Sequence, residues 1–106
     1  MKIYLSIPIT GYDIEEVKAR AELIKRLISS EDNEVITPFD VCPETDKPYA
    51  YYIGRDIEAL LECDAIYMAS GWEKSKGCTL EYNVASLYGK HIFTSLMYRN
   101  SKTILI

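Results

Sequence analysis

The sequence predicts an α/β domain of 106 residues in which helices cover both faces of a mainly parallel sheet. Short β-rich runs alternate along the chain with longer segments whose apolar residues recur at helical spacing. Such alternation is typical of parallel sheets with right-handed crossovers. The run 65–70 (AIYMAS) is apolar at almost every position, which is typical of a strand buried on both faces. We therefore expect a single domain over residues 1–106.

Turn and capping residues delimit the first strand and the first helix. Residues 2–7 (KIYLSI) are β-rich and stop at Pro8, and Gly11 supplies the turn that follows. Asp13, with a glutamate three residues later, is predicted to cap a helix that runs to about residue 29. The inward face of this helix is predicted to contain Ile14, Val17, Ala21, Ile24 and Ile28.

The middle of the chain contains a second strand, a loop and a second helix. Residues 34–38 form a short strand that a proline stops, and residues 39–48 are expected to form a polar loop. Pro48 suits the first turn of the second helix. The inward stripe of that helix is predicted to contain Ile53, Ile57, Leu60 and Leu61.

The third strand leads into a third helix and two C-terminal strands. The helix follows a Ser-Lys-Gly turn and ends near Tyr88, with Gly89 as its C-cap. Two neighbouring rows of its residues are predicted to pack inward: Cys78, Glu81, Ala85 and Tyr88 in one, and Leu80, Val84 and Leu87 in the other. Residues 91–97 form the fourth strand, and residues 102–106 are expected to form a short fifth strand.

These elements predict a flavodoxin-like, three-layer α/β/α fold with strand order 2-1-3-4 and an added short C-terminal strand. In such sheets a ligand binds beyond the carboxyl ends of the strands, where the winding reverses. That point lies here between the first and third strands. The loops 7–12 and 70–77 meet there, and the second loop leads directly to Glu81.

Charge and cysteine content exclude several classes of protein. The net charge of −4 argues against a nucleic-acid polymer as partner, because such binding requires a basic face. Cys42, Cys63 and Cys78 are odd in number and contain no CxxC pair, which favours reduced thiols over disulfides or a zinc site. No apolar run approaches the roughly 18–20 residues of a membrane span. We expect a cytoplasmic protein that has no metal or cofactor and no contact with membranes.

Two carboxylates are predicted to lie at the crevice. Glu81 borders the apolar face of the third helix, and Asp56 borders the stripe of the second helix between Ile53 and Leu60. Taken alone, Glu81 is equally well explained as a charge that complements the helix dipole, and Asp56 is better explained as a surface or capping charge. Taken together at one crevice, they suggest acid or nucleophile chemistry.

Smaller polar residues and turn residues surround these carboxylates in the predicted crevice. The first strand and its loop contribute Tyr4, Ser6, Pro8, Thr10 and Gly11. Ser75 and Gly77 precede the third helix, whose free N–H groups and positive dipole end can hold an anion. Ser75 is equally well explained as a plain N-cap. The pattern is compatible with a sugar phosphate, and it leaves the identity of the substrate open.

A longer motif adds a substrate class. Trp72, Ser75, Gly77, Glu81 and Ala85 fit the pattern Trp-x-x-Ser-x-Gly-x-x-x-Glu-x-x-x-Ala. With Tyr4, the Pro8–Gly11 loop and Asp56, the motif resembles the nucleoside 2-deoxyribosyltransferase superfamily, and within it a group of short bacterial and phage proteins. The resemblance extends from about residue 2 to residue 95.

The resemblance implies a role for each of these residues. Glu81 would be the nucleophile that attacks C1′ of a 2-deoxyribonucleoside and forms a covalent intermediate. Asp56 would bind the sugar or assist departure of the base, Tyr4 would lie beside the nucleophile, and the first loop would bind substrate. At the position of Ser75, base-exchanging transferases tend to have an acidic residue, whereas 2-deoxynucleoside 5-phosphate hydrolases tend to have serine. Ser75 therefore favours a 5′-monophosphate and water. A reference glutamate pKa of about 4.3 would leave Glu81 ionised at neutral pH.

Other possibilities stay open at this point. The chain has Ile7 where many members of the superfamily have glycine, and a branched side chain there either narrows the crevice or turns away from it. A base-exchanging transferase and a non-catalytic nucleotide-binding module are the alternatives to a hydrolase. A homo-oligomer, most simply a two-fold dimer, is expected from the resemblance and from the aromatic residues Tyr49, Tyr51 and Tyr52 beyond the inward stripe of the second helix.

Overall fold

The computed structural model describes residues 1–94, in which a parallel sheet is covered by helices on both faces. The strands are β1 Lys2–Ser6, β2 Glu34–Ile36, β3 Ala65–Met68 and β4 His91–Thr94. The helices are α1 Ile14–Ile28, α2 Pro38–Val41, α3 Tyr49–Leu61 and α4 Lys76–Leu87, and a 3₁₀ turn spans Trp72–Lys74. In this range no helix has the length and apolar character needed to cross a bilayer.

The sheet has the strand order β2-β1-β3-β4, and every described pair is parallel. This confirms the predicted order 2-1-3-4. The register places Ser6, the last residue of β1, beside Met68, the last residue of β3. The carboxyl ends of the two central strands therefore meet at one edge. Residues 95–97 of the predicted fourth strand and the predicted fifth strand, 102–106, lie outside the described residues.

Side chains of β1 alternate between two separate cores. Ile3, Leu5 and Ile7 pack toward α1, in a cluster that also contains its buried residues Val17, Ala21, Ile24 and Ile28. Tyr4 faces the other side, where it packs with Leu60 of α3 and Cys78 of α4. The period of two along a strand produces this division.

The start of α1 forms as predicted, but one residue of its apolar face does not reach the core. Asp13 is the N-cap, and its side chain accepts a hydrogen bond from the Glu16 N–H. Ile14, predicted to be inward, is instead 40% exposed. It is the first residue of the helix. The prediction for Ile14 was wrong.

The segment after β2 is more ordered than predicted. Residues 38–41 form the short helix α2 and not a loop. Thr37 and Asp40 form a reciprocal capping box, and Pro38 occupies the first turn, where its missing N–H costs nothing. The proline that stops β2 thus also starts a helix. Pro48 is the N-cap residue of α3, one position before the helix itself.

The predicted inward faces of α3 and α4 were partly wrong. On α3, Leu60 is fully buried, but Leu61 is 39% exposed. On α4, Cys78, Glu81 and Ala85 are buried, whereas Tyr88, Leu80 and Leu87 are exposed. Val84, from the second row, is half-buried and packs against the core cluster that contains Cys78 and Ala85. Neighbouring residues in a helix are about 100° apart, so Leu80 and Leu87, at the far side of that row, face outward. Gly89 has a φ of 69°, which suits its predicted place at the end of α4.

Candidate active site

Glu81 lies on the inner face of α4 with its carboxylate fixed at both oxygens. The Tyr4 hydroxyl donates a hydrogen bond to Oε2 at 2.9 Å, and the Ser6 hydroxyl donates one to Oε1 at 2.7 Å. Both donors come from β1, because residues two apart on a strand point to the same side. Glu81 is only 4% exposed. The carboxyl group therefore has a defined position and orientation inside the protein.

Asp56 is a second buried carboxyl group, on α3. It is 7% exposed, and no described residue donates a hydrogen bond to its Oδ1 atom. A buried acceptor without a donor is costly, so such groups call for an explanation. Asp56 lines the same cavity as Glu81. A ligand that donates a hydrogen bond to Oδ1 would satisfy it.

The protein environment raises the pKa values of both carboxyl groups into the neutral range. Burial raises the pKa of Glu81 to about 7, with a further upward contribution from Asp56, against the hydroxyls of Ser6 and Tyr4, which lower it. Burial also raises the pKa of Asp56 to about 7, and the Tyr4 hydroxyl opposes that shift. Because each group is close to half-protonated at neutral pH, the pair can hold one proton and one negative charge. The expectation that Glu81 keeps an ordinary pKa was wrong, because it neglected burial.

Tyr4 remains a hydrogen-bond donor throughout this range. Burial raises its pKa well above the usual value, and the charges of Glu81 and Asp56 add to the shift. The phenol is therefore protonated at any pH at which the protein would work. Its O–H group can stabilise the Glu81 carboxylate without competing for the proton.

The two carboxyl groups face a cavity of about 1030 Å³ at the carboxyl edge of the sheet. The loops after β1, β2 and β3 form its walls, as expected for a switch point between β1 and β3. Among the predicted site residues, those that line the cavity are Pro8, Thr10, Asp56, Ser75, Gly77 and Glu81. Tyr4 and Ser6 are fully buried behind Glu81 and are not in its wall. Gly11 forms an exposed turn with φ 89° and is likewise outside the wall.

One end of the cavity is suited to an anion. Ser75 caps α4 by accepting a hydrogen bond from the Cys78 N–H at 3.2 Å, which leaves its own hydroxyl proton free to be donated. A Cβ atom on Gly77 would lie 3.4 Å from the Tyr49 hydroxyl, so the glycine keeps this corner open. Lys74 and Lys76 also line the cavity on either side of Ser75. Sequence reasoning missed both lysines, although the Lys-Ser-Lys run was the available signal.

Ile7 turns away from the carboxylates. It is buried in the core beneath α1, on the opposite side of the chain from Ser6. Part of its side chain still contributes to the cavity wall. The branched residue therefore shapes the edge of the cavity without approaching Glu81 from the side that holds Tyr4 and Ser6.

Aromatic residues form much of the remaining wall, and sequence reasoning placed only some of them nearby. Tyr49 and Tyr52 of α3 line the cavity, as do Tyr12 and Phe39. The Tyr52 hydroxyl donates to the Glu44 carbonyl at 3.0 Å, which ties the loop before α3 to the helix. Within residues 1–94 no group of three or more histidine, cysteine or acidic side chains is arranged to hold a metal ion.

The fold is similar to that of two solved 2-deoxyribosyltransferases. One, from Leishmania mexicana, has a TM-score of 0.69 and 22% identity over 88% of this chain and 62% of its own. The other, from Bacillus psychrosaccharolyticus, has a TM-score of 0.62 and 19% identity over 89% of this chain and 71% of its own. This chain thus spans less than two thirds of the Leishmania enzyme. At these identities the similarity establishes the shared α/β fold.

Sequence comparisons lead to a family. No curated protein matches the chain. Residues 1–94 match the model of a family described as a domain of unknown function, DUF4406. The match covers every described element, including β1, α3 and α4, which hold Tyr4, Ser6, Asp56 and Glu81. The chain therefore belongs to the DUF4406 family.

Proposed function

We propose that this protein cleaves the N-glycosidic bond of a 2-deoxynucleoside 5′-monophosphate, with water as the acceptor. One observation carries the proposal: Glu81 is buried at the cavity wall, held at both oxygens, beside a second carboxyl group with an unsatisfied oxygen. The fold similarity to two 2-deoxyribosyltransferases supports the same class of chemistry.

In the first step, an ionised oxygen of Glu81 attacks C1′ of the deoxyribose. The C1′–N bond breaks, and its electron pair leaves with the base. Asp56, whose pKa is about 7, supplies a proton to the departing base when it is in its protonated form. The products of this step are the neutral base and an ester between Glu81 and the sugar.

In the second step, water attacks C1′ and the ester C1′–O bond breaks. The Glu81 carboxylate is regenerated, and Asp56 accepts the proton that the water loses. The net reaction converts the nucleotide and one water molecule into free base and 2-deoxyribose 5-phosphate. Tyr4 and Ser6 position the nucleophile during both steps without contacting the cavity. Fixed donors in a water-poor site need no reorganisation as charge shifts.

The phosphate end of the substrate is assigned to the start of α4. The Ser75 hydroxyl, the free N–H groups of the first helical turn and the flanking Lys74 and Lys76 all offer favourable contacts to a dianion. This placement sets the sugar over Asp56 and Glu81, farther along the same helices. A monophosphate should therefore bind more tightly than its nucleoside, and Ser75→Ala should reduce that difference.

The proposal is tested by chromatography of free base released from a panel of deoxynucleosides and their 5′-monophosphates. Glu81→Ala should lower base release by at least about a thousandfold, because loss of a nucleophile closes the covalent route. Glu81→Asp should also be severely impaired, since its shorter side chain misses the reacting geometry. Glu73→Ala, at an exposed acidic residue of the 3₁₀ turn, is the matched control and should retain full activity.

Two further readouts separate the alternatives. Mass spectrometry of the wild type mixed briefly with substrate should show a deoxyribosyl-phosphate adduct on Glu81. The rate should follow a bell-shaped pH profile centred near pH 7, because Glu81 must be ionised while Asp56 is protonated. Transfer of the sugar to an added second base would identify a transferase. Absence of base release over the whole panel, with nucleotide binding retained, would leave a binding module.

A further inference from the structure

We infer that Arg20 of α1 is a positioning residue for the phosphate end of the cavity, because it fixes the turn that leads into α4. The Arg20 guanidinium donates a hydrogen bond from Nη2 to the Ser70 carbonyl oxygen at 3.0 Å. Ser70 begins the segment 70–75, which ends at Ser75, the N-cap of α4. The nature of the ligand rests on the proposed function, whereas the contact between Arg20 and the turn does not.

Arg20 reaches the turn from the opposite face of the sheet. Helix α1 packs on the face formed by Ile3 and Leu5, whereas α4 packs on the face that holds Tyr4. The hydrogen bond from Arg20 to Ser70 joins positions 50 apart in the sequence. It therefore connects the two helical layers around the carboxyl edge of the sheet, beside the cavity.

Backbone hydrogen bonds make the turn a compact unit. Gly71 has a φ of 89°, a left-handed conformation that glycine adopts without strain, and Trp72 opens the 3₁₀ turn directly after it. The Lys74 N–H donates to the Gly71 carbonyl at 3.3 Å, and the Ser75 N–H donates to the Trp72 carbonyl at 3.0 Å. Because the turn is short and internally bonded, a displacement at Ser70 would also displace Ser75.

The other side of the turn packs on α4. The Trp72 ring stacks on the Tyr82 ring, with centroids 4.8 Å apart and an angle of 17° between the ring planes. Both rings also pack against the core cluster that contains Cys78 and Ala85. Trp72 belongs to the sequence motif around Glu81 but has no part in the proposed chemistry. Its contacts give it a structural role, in which it holds the turn from the face opposite to Arg20.

Arg20 acts near the start of α4 without lining the cavity. Burial raises the pKa of the Cys78 thiol, in the first turn of α4, while the hydroxyls of Ser6 and Ser75 and the positive charge of Arg20 act against that rise. The guanidinium is therefore close to this helix end. The side chain of Arg20 is not part of the cavity wall. Its influence on a bound phosphate is thus exerted through the turn and not by contact.

A turn that is already fixed in the free protein favours binding of an anion. A phosphate at this end of the cavity needs the Ser75 hydroxyl and the free N–H groups of α4 in one arrangement. If the turn were loose, binding would first have to order it, and the lost conformational entropy would weaken the affinity. The sugar and the base contact other elements. The effect of Arg20 is therefore expected for phosphorylated ligands only.

Trp72 provides a direct probe of the turn, because it is the only tryptophan of the chain. Calorimetry measures binding of 2-deoxyribose 5-phosphate, the sugar product of the proposed reaction, and acrylamide quenching of Trp72 fluorescence measures the exposure of the turn. Arg20→Met should weaken binding by about tenfold, as expected when a hydrogen bond from a charged donor is lost. It should also increase the quenching constant of the free protein. In the base-release assay, the KM for a monophosphate should rise by a similar factor with kcat little changed.

Three further variants separate positioning from charge and from misfolding. Arg26→Met removes the same charge from the last turn of α1 and should change neither affinity nor quenching. Arg20→Lys keeps the charge and a donor, so it should recover part of both properties. Tyr82→Leu removes the stacked ring from the other side of the turn and should also weaken phosphate binding. It covers the case in which Arg20→Met does not fold.

Three outcomes would overturn the role of Arg20: no binding of 2-deoxyribose 5-phosphate to the wild type, equal affinities of Arg20→Met and Arg26→Met, or weaker binding in Arg20→Met with unchanged quenching. The last outcome would show that the charge acts through space. A wild type that binds 2-deoxyribose 5-phosphate but releases no base would contradict the proposed function and leave the role of Arg20 intact. Base release that persists without any effect of Arg20→Met on binding would do the reverse.

Discussion

The two sides of β1 face very different interiors. Toward α1, Ile3, Leu5 and Ile7 enter a hydrophobic core. Toward α3 and α4, Tyr4 and Ser6 enter a layer that contains two buried carboxyl groups. Adjacent residues of one strand thus serve opposite purposes. Packing on the α1 side stabilises the fold. On the α3/α4 side, the burial of ionisable groups costs free energy, which the packing on the α1 side offsets.

Burial of side chains contributes to the free energy of folding with opposite signs on the two sides of β1. Burying an aliphatic side chain contributes roughly 1.5–3 kcal/mol. Burying an ionised carboxylate costs free energy, and the upward pKa shifts of Glu81 and Asp56 to about 7 report that cost. The comparison predicts that substitutions on the α1 side weaken the fold, whereas suitable substitutions on the other side strengthen it at the expense of function.

The largest expected effect on stability is on the α1 side. Leu5→Ala should lower the free energy of unfolding by about 2–5 kcal/mol, because Leu5 is fully buried and its removal leaves a cavity. Urea denaturation at neutral pH measures this change. Ile14→Ala is the matched control, since Ile14 is 40% exposed, and it should change stability by about 0.5 kcal/mol or less. Equal losses for the two variants would contradict the division into a buried and an exposed position.

Substitution of Glu81 is expected to increase the free energy of unfolding, by an amount smaller than the loss at Leu5. Its folded pKa of about 7 exceeds the ordinary value of 4.5, so the folded protein holds the proton more tightly than the unfolded chain. Stability from this group is therefore complete below about pH 4.5, falls as the pH rises to about 7, and is flat above. Glu81→Gln lacks this loss and should be more stable than the wild type at about pH 8, by roughly 1–3 kcal/mol.

Thermal unfolding at several pH values provides the measurement. The difference between Glu81→Gln and the wild type should shrink as the pH is lowered, and should be lost below about pH 4.5, where the glutamate becomes protonated in both states. Glu73→Gln, at an exposed position, should show no such pH dependence. A Glu81→Gln variant that is less stable than the wild type at about pH 8 would mean that the carboxylate stabilises the fold.

The smallest expected effect is a change in the pKa of Glu81 when Ser6, next to Leu5 on the strand, is substituted. Its hydroxyl donates to Glu81 and lowers the pKa of that carboxyl. Ser6→Ala should therefore raise the pKa of Glu81 further, by up to about one unit for a hydrogen bond of about 1 kcal/mol. Carbon-13 NMR titration of labelled glutamate side chains measures it directly. Ser86→Ala, at an exposed site on α4, should leave the titration unchanged, and a lowered pKa in Ser6→Ala would show that the hydroxyl is not a donor to the carboxylate.

Local patterns in the sequence determined most of the fold. Alternation of strand and helix periods predicted the parallel sheet and its order, because each pattern reports local geometry. Asp13 and Ser75 mark the starts of α1 and α4 in the sequence, because an N-cap residue acts within one helical turn. The position of the switch point and the motif around Glu81 predicted that the two carboxyl groups lie at one cavity. Their proposed roles in catalysis remain predictions.

Only the tertiary structure decided which apolar residues are buried. Periodicity shows that a helix has an apolar side, but only the packed structure shows that α4 buries Cys78, Glu81 and Ala85 and leaves Leu80 and Leu87 outside. The same applies to Ile14 and Tyr49, which both line the cavity. The pKa of Glu81 also depends on groups from β1 and α3, more than twenty positions away in sequence. Burial and electrostatics are properties of the assembled chain, because they sum contributions that no local pattern contains.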